Sequence, residues 1–386
     1  FIEIMSNKFP PVPKRCAVTG SSGFVGQRLV EMLIERGAEK VIAFDILPKP
    51  HDAIKTSKVQ YVKGDIRDKK AVNDICKDID CIWHNAAAVG PYHPQKLYDE
   101  VNYQGTLNVI EACKKNKVGK IVMSSSPSTR FTGEDVNGLS EDELPQLPLD
   151  SYLQAYASSK AKGEMAMSSA CCDELMTIAV APHQVYGPRD TIFLPNLLEA
   201  AGTGRFRVFG GGKNRICFTH VDNYCHGLII AERALYKKSP ALGKFYIVTD
   251  GDTHDFKEGY CLFYDSMETA ITKMGFPSIK AKMSIPYWVL MPLAYICLFV
   301  TRLTGIQIKL TPFAVRMLTM HRWFKIDKAI NDLNYKPIKS FQEEWPKTIE
   351  WFKQNWLPKF QSSNQSMLGL YSRTQEKINI QAGKSN

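Results

Sequence analysis

Thr19-Gly20-Ser21-Ser22-Gly23-Phe24-Val25-Gly26 is the stretch from which the rest of the chain is read. It follows a short apolar run, Arg15-Cys16-Ala17-Val18-Thr19, that stops at glycine, and it opens a helical pattern from Gly26 to Arg36. Short apolar runs bounded by turn residues read as buried strands. Glycines spaced GxxGxxG at a strand-to-helix turn let the chain bend tightly and let backbone N–H groups approach a pyrophosphate, and the helix N-terminus adds partial positive charge. The spacing alone is a weak signal. Its place at a first βα turn, with an acid following at the right distance, marks a nucleotide cradle with Gly20, Ser22, Gly23, Phe24, Val25 and Gly26 as its contacts.

That acid is Asp45, at the end of the next apolar run, Val41-Ile42-Ala43-Phe44-Asp45. A carboxylate there accepts both ribose hydroxyls of an adenosine and repels a 2′-phosphate. Ile46 and Leu47 follow with no base to greet that phosphate, so NAD is favoured over NADP. Gly64-Asp65-Ile66 closes the third run and offers Asp65 and Ile66 to the adenine edge, with a simple turn as the alternative. Further runs at Cys81–His84, Ile121–Met123 and Thr177–Val180 alternate with helical patterns such as Gly105–Lys115. Such alternation predicts βαβ units: an α/β, Rossmann-type, doubly wound parallel sheet with a smaller C-terminal substrate domain. The expected division is an extended lead-in over 1–13 and a nucleotide-binding domain over 14–181 with a return segment at 214–250. A substrate part covers 182–213 and 251–360, and a disordered tail covers 361–386. The acidic, Pro- and Gly-rich stretch Gly133–Leu149 reads as a surface loop.

The composition fits an ordinary globular chain: 386 residues, 44% hydrophobic and 23% charged. It excludes a wholly disordered, collagen-like or polytopic membrane protein. The net charge of +10 is uneven, since residues 302–386 hold 14 Lys and Arg against 6 Asp and Glu. Ten cysteines without a CxxC pair read as free thiols in a reducing compartment, not as a metal site.

Tyr156 and Lys160 lie four apart in Tyr156-Ala157-Ser158-Ser159-Lys160, on one face of a predicted helix. A phenol with a pKa of ~10 is a poor base at neutral pH, and a nearby ammonium pulls that pKa down. Ser124-Ser125-Ser126 ends the predicted fifth strand, and Asn102 sits at the start of the helix before it.

Together these residues resemble the extended branch of the short-chain dehydrogenase/reductases, and within it the 3β-hydroxysteroid dehydrogenase family and its sterol-4α-carboxylate 3-dehydrogenase group. The resemblance runs over roughly residues 14–360. It is carried by the glycine cradle, Asn85-Ala86-Ala87-Ala88, Tyr156–Lys160, Tyr186-Gly187-Pro188-Arg189-Asp190, Phe218–Asn223, and Leu333-Asn334-Tyr335-Lys336-Pro337. It implies hydride exchange at a secondary alcohol. Tyr156 is then the general base, Lys160 holds the nicotinamide ribose and lowers the tyrosine pKa, Ser126 bonds the substrate oxygen and Asn102 orients a proton relay. Ala86 and Pro182 join the cofactor contacts. The implied substrate is a 4α-carboxysterol, oxidised with loss of CO2. The alternatives are a 3β-hydroxysteroid dehydrogenase/Δ5-4 isomerase, a plant-type phenolic reductase, a nucleotide-sugar epimerase and a catalytically silent NAD-binding scaffold.

One departure is Ala181, where the family usually carries arginine before Pro182-His183. Arg130 and Arg189 are the candidates to supply the missing cation, and His183, His220 and Tyr186 are candidates to line the pocket. Ser284–Thr301 carries no charge, is interrupted by Pro286 and Pro292, and is flanked by Lys282 and Arg302. It reads as a membrane-embedded or monotopic segment, with a spanning helix and a core helix as alternatives. The expected partners are a sterol and a membrane surface or lipid droplet, at the cytosolic face of the endoplasmic reticulum, with a homodimer left open. Nucleic acid is not expected, since no recognition motif appears.

Overall fold

The computed structural model describes residues 9–90, 93–305, 308 and 310–364. Strand and helix alternate through the first part: β1 (Arg15–Thr19), α1 (Phe24–Glu35), β2 (Lys40–Asp45), β3 (Val59–Lys63), α2 (Lys69–Ile75) and β4 (Cys81–His84). Then come α3 (Gln95–Tyr98), a π-helical turn (Asp99–Gln104), α4 (Gly105–Asn116), β5 (Lys120–Ser124), a 3-10 turn (Pro127–Arg130), β6 (Val136–Leu139) and α5 (Ala155–Ser169). The chain continues with β7 (Met176–Pro182), β8 (Val185–Tyr186), α6 (Phe193–Gly202), β9 (Arg215–Ile216), β10 (Thr219–His220), α7 (Val221–Arg233) and β11 (Phe245–Val248). Last are β12 (Cys261–Leu262), α8 (Phe263–Lys273), α9 (Tyr287–Thr304), α10 (Pro312–Thr319), β13 (Arg322–Phe324), α11 (Asp327–Leu333), α12 (Phe341–Asn355) and α13 (Leu357–Asn364).

The central sheet has seven strands in the order β11-β7-β5-β4-β1-β2-β3, and every neighbouring pair is parallel. Its strands are apolar on both faces because helices cover both. On one face α1, α7 and α11 bury Leu29, Leu33, Leu228 and Ile229 against it, and on the other α2, α4 and α5 bury Ile75, Val109 and Met167. Trp83 in β4 is fully buried and donates its indole N–H to the Leu228 carbonyl at 2.9 Å. The strand order reverses between β1 and β4, which opens the crevice where such sheets bind ligands.

The second sheet corrects two expectations. It runs β12-β9-β13-β6, with β13 parallel to both β9 and β6. The acidic stretch expected as a loop therefore contributes a strand, β6. Its Glu141 also accepts the Ile247 N–H at 2.7 Å, covering the edge strand β11 with a polar partner. Residues Arg215–Ile216, expected in the return to the central sheet, belong to this second sheet instead. At the C-terminus α13 carries helix through residue 364, past the expected boundary at 361. The rest of the expected tail, and residues 1–8 of the lead-in, lie outside the described residues.

Helix α9 begins after Pro286 and contains Pro292. Only Leu290 and Ala294 of its residues are buried, packed with Val315 of α10. The core-helix alternative for this segment is thereby excluded. All ten cysteines are free thiols, and no metal-holding cluster occurs among the described residues.

Candidate active site

The β1–α1 turn is built for a close approach of backbone to ligand. Gly20 has φ +71°, and a Cβ on it would stand 2.8 Å from the N and Cα of Ala86. A Cβ on Gly26 would stand 1.9 Å from the Gly20 carbonyl oxygen, which sets helix against turn. At Gly23 the nearest protein atom would be 3.4 Å away, so this glycine leaves room for something that is not protein. Gly23 caps α1 without a side-chain hydrogen bond, leaving the first-turn N–H groups at Phe24 and Val25 to an anion. These features fit a dinucleotide pyrophosphate.

Asp45 accepts the Ser22 N–H and the Leu47 N–H, both at 2.8 Å, one on each oxygen. Burial raises its pKa while these bonds lower it. Each oxygen keeps a lone pair for a ribose hydroxyl. A cavity of about 200 Å³ adjoins it, and Lys49 and Lys63 line that cavity. No base directly follows Asp45 in the chain, where Ile46 and Leu47 stand; folding brings these two lysines in from β3 and the loop after β2. Asp65 is less available than expected. Both its oxygens are held by Arg67, the shortest contact being 2.7 Å, so it forms an ion pair at the rim of an open cleft. The Ile66 carbonyl accepts from Asn108 Nδ2 at 3.1 Å.

A directed chain of hydrogen bonds crosses the crevice, and the sequence reading missed it. The Thr106 hydroxyl donates to the Asn102 carbonyl at 2.7 Å, so it accepts from His84 Nε2–H at 2.9 Å. His84 Nδ1 then accepts from the Thr19 hydroxyl at 2.9 Å, and Thr19 Oγ1 accepts the Asn85 and Ala86 N–H groups at 3.1 Å. Burial, with the charge of Lys160 behind it, pushes the His84 pKa down to about 3 and keeps the ring neutral. The signal was a histidine at a strand end opposite a threonine, too common a pairing to be noticed without the fold.

The three consecutive serines have three different partners. Ser124 Oγ shares a hydrogen bond with Tyr224 of α7 at 2.6 Å, Ser125 donates to Glu164 of α5 at 2.6 Å, and Ser126 bonds Ser128 at 2.9 Å and lies near enough to Tyr156 to draw its pKa down. The structure thus brings Ser126 to Tyr156 and takes Ser124 and Ser125 elsewhere. Tyr156 stands in the first turn of α5, edge-on to Tyr98 at 6.0 Å. Burial drives its pKa up to about 12 against the lowering effect of the Ser126 hydrogen bond. Lys160 does not supply the lowering expected of it in this state: its Nζ donates to the Ser124 carbonyl at 2.6 Å, and burial pulls its pKa down to about 8. Asn102 is fully engaged. Its amide takes the N–H of Ala88 at 2.8 Å and donates to the Ala88 carbonyl at 3.1 Å and to Ser159 Oγ at 3.0 Å. It is a positioning residue for the Asn85–Val89 turn, not a free relay group. Pro182 ends β7 opposite Val248, one strand from the serines.

The expected substrate contacts are committed to the fold. Arg130 pairs with Glu164 at 2.6 Å and lies over the Phe245 ring. Arg189 pairs with Glu31 at 2.8 Å and Asp52 at 2.9 Å. Tyr186 is fully buried and donates to Asp250 at 2.9 Å. The His183 ring donates from Nδ1 to the Cys217 carbonyl at 2.8 Å, and burial lowers its pKa to about 3. His220 is buried against Tyr186. Among the described residues the His220 ring nitrogen Nε2 is left without a hydrogen-bond partner, and it is buried 4.0 Å from the Glu344 carboxylate.

Cradle, acid and Ser126–Tyr156–Lys160 cluster on one Rossmann sheet define a nucleotide-dependent oxidoreductase of the short-chain type. The chain belongs to the 3-beta hydroxysteroid dehydrogenase/isomerase family, whose sequence model matches residues 17–274. It is 32% identical to the 3beta-hydroxysteroid-dehydrogenase/decarboxylase isoform 1 of Arabidopsis thaliana, over 87% of this chain and 79% of that protein. It is 31% identical to the human sterol-4-alpha-carboxylate 3-dehydrogenase, decarboxylating, over 88% of each. A 2-alkyl-3-oxoalkanoate reductase of Stenotrophomonas maltophilia is also 31% identical, over 84% of this chain and 96% of that one. Among solved structures, an epimerase from Methanothermobacter thermautotrophicus superposes with a TM-score of 0.69 at 21% identity, covering 94% of this chain and 98% of its own. The dTDP-glucose 4,6-dehydratase of Streptomyces venezuelae, solved with NAD, gives 0.66 at 20%, covering 88% and 97%. These two establish the fold.

Proposed function

We propose that this chain oxidises the 3β-hydroxyl of a 4α-carboxysterol with NAD, and that the product loses CO2. The observation that carries the reading is Tyr156 in the first turn of α5, one helical turn before Lys160, whose Nζ donates to the Ser124 carbonyl at the C-terminal end of β5, two residues before Ser126. The decarboxylating relatives support the substrate, and Asp45 supports NAD. When bound, NAD supplies a hydride acceptor and a positive ring beside the phenol. Ser126 holds the substrate oxygen. Tyr156, as phenolate, takes the proton from that oxygen as the C3 hydride departs. Lys160 keeps the phenolate in company and meets the ribose. The 3-ketone so formed lies β to the carboxylate. The C4–carboxyl bond then breaks, its electron pair moves toward the C3 carbonyl to give an enolate, and CO2 leaves. The proton that Tyr156 took from the hydroxyl, returned to C4 directly or through solvent, completes the ketone, and no further base is required. The bacterial relative named for a 3-oxoalkanoate carries a ketone at the same position relative to an acid, which favours the β-keto-acid reading over isomerisation.

The apolar outer face of α9 fits a bilayer. Trp288 is 76% and Leu303 70% exposed, and Tyr295, Ile296 and Phe299 lie between them. Its eighteen residues have a mean hydropathy of 1.4. At ~1.5 Å per residue they fall just short of a ~30 Å hydrocarbon core. One face is packed on α10, so the helix lies in one leaflet instead of crossing two. A monotopic seat of this kind suits the cytosolic face of the endoplasmic reticulum or the monolayer of a lipid droplet.

The test offers purified protein NAD or NADP with a 4α-carboxysterol, a plain Δ5-3β-hydroxysteroid and a nucleotide sugar, following NADH and CO2 together. NADH and CO2 are expected in equal amounts from the carboxysterol. NADH without CO2 removes the decarboxylating reading, and a preference for NADP overturns the role of Asp45.

A further inference from the structure

Arg322 carries a charge that the protein itself does not answer. It lies on β13 in the middle of the second sheet, paired with Val136 on one side and Ile216 on the other. Side chains alternate along a strand. Trp323 turns one way, its Nε1 donating to Asn137 at 2.7 Å. Arg322 and Phe324 turn the other way, and the Phe324 ring meets the His183 ring edge-on at 5.2 Å. The guanidinium is close enough to His183 to help hold that ring neutral. His183 follows Pro182 at the end of β7, and β7 adjoins the serine run, where Ser125 N–H donates to the Val180 carbonyl at 2.8 Å. Arg322 thus lies on the side of the second sheet that meets His183, the residue that follows β7 of the central sheet.

The guanidinium reaches one acceptor among the described residues, the Met317 carbonyl at 3.2 Å. Its Nε is buried and has no partner. No carboxylate of a described residue pairs with it, whereas Arg130, Arg28, Arg67 and Arg189 each hold one. It lies deep in the fold yet part of its surface stays accessible. Burial lowers its pKa to about 10, so it remains a cation at neutral pH. A buried, uncompensated charge is costly, and a ligand of opposite charge removes that cost. A guanidinium is a planar fork whose paired N–H groups suit a carboxylate, and here Nε has no partner while one terminal nitrogen already holds the Met317 carbonyl. Arg322 also approaches the segment where Ala181 departs from the arginine usual in the family.

We propose that Arg322 is the carboxylate receptor of the substrate pocket, gripping the acid group next to the reacting carbon. This rests on the carboxysterol reading above. The test measures equilibrium binding of a 4α-carboxysterol and of its methyl ester to the full chain loaded with NADH, which permits no turnover. Wild type should prefer the acid by about tenfold or more, and Arg322→Gln should weaken acid binding by about ten- to a hundredfold while leaving the ester within about twofold. Arg322→Lys, which keeps the charge and loses the fork, should fall between. Ester binding doubles as the check that the variant is folded. Equal weakening of both ligands, or an acid preference that survives in Arg322→Gln, overturns the proposal while the carboxysterol reading stands. A wild type that shows no acid preference overturns the proposal as well, and if the same protein given NAD in place of NADH releases no CO2 from the carboxysterol, the carboxysterol reading falls with it.

Discussion

Asn102 holds both backbone polar groups of Ala88, accepting its N–H at 2.8 Å and donating to its carbonyl at 3.1 Å. This two-point grip ties the π-helical turn to the chain leaving β4, and π-turns of this kind gather at functional sites. Asn102→Ala would leave two buried backbone groups unpaired, at ~1–3 kcal/mol each. A lower melting temperature and a reduced kcat are the expected result, read by calorimetry and NADH production. Unchanged stability would show that water replaces the amide.

Gly23 and Gly26 should separate cofactor binding from folding. Gly26→Ala forces a Cβ against the Gly20 carbonyl and should lower the melting temperature. Gly23→Ala meets protein only at 3.4 Å, so it should keep the melting temperature and weaken NAD binding where the pyrophosphate must approach. Titration of NAD by protein fluorescence, beside thermal melts, checks both.

The buried phenol of Tyr156 has its pKa raised to about 12, so at neutral pH it carries its proton before ligands bind. Oxidation needs the phenolate, so kcat/KM should climb as pH rises from 6 toward 9. Tyr156→Phe should abolish that climb together with nearly all turnover, on the order of 10²–10⁴-fold. A flat pH profile in the wild type would mean that proton removal is not limiting.

Lys160 is a stability cost. Its folded pKa of about 8 lies below the unfolded value of 10.5, so the charged form is disfavoured on folding. The penalty is fully present at pH values below 8 and disappears as pH rises from 8 to 10.5. Lys160→Met should therefore stabilise the protein at pH 7 by ~1–2 kcal/mol while destroying activity, the trade expected at a strained site. Denaturant melts at pH 7 and pH 10 would test the sign, the gain shrinking at the higher pH.

Placing charge on the outer face of α9 should release the protein from membranes. Trp288→Glu with Phe299→Glu changes two exposed side chains and leaves Leu290 and Ala294 packed. Flotation with liposomes should show loss of binding, with NAD affinity unchanged. Binding that persists in the double variant would rule out this face as the contact.

The sheet and its cradle were legible because local chemistry decides them. Glycines at the first turn, an acid ending β2, and apolar runs covered on both sides leave few other solutions. Tyr156 and Lys160 were legible for the same reason, being one helical turn apart. What escaped the sequence depends on distant partners. Arg130 looks like a pocket cation until α5 brings Glu164 beside it, and Arg189 until α1 brings Glu31. Arg322 looks like one base in a basic stretch until β13 is inserted between two strands that lack an acid to meet it. The β6 strand is hidden because its pairing partner lies 186 residues away in sequence, as with Trp323 and Asn137.

Ser124, Ser125 and Ser126 spell one letter three times, yet each hydroxyl answers to a different part of the molecule: helix α7, helix α5 and the 3-10 turn that follows β5. No two of them are interchangeable. A homopolymeric triplet that looks redundant on the page is therefore as rich in instruction as any mixed sequence, and insertion or deletion of a single serine there would misassign all three messages at once.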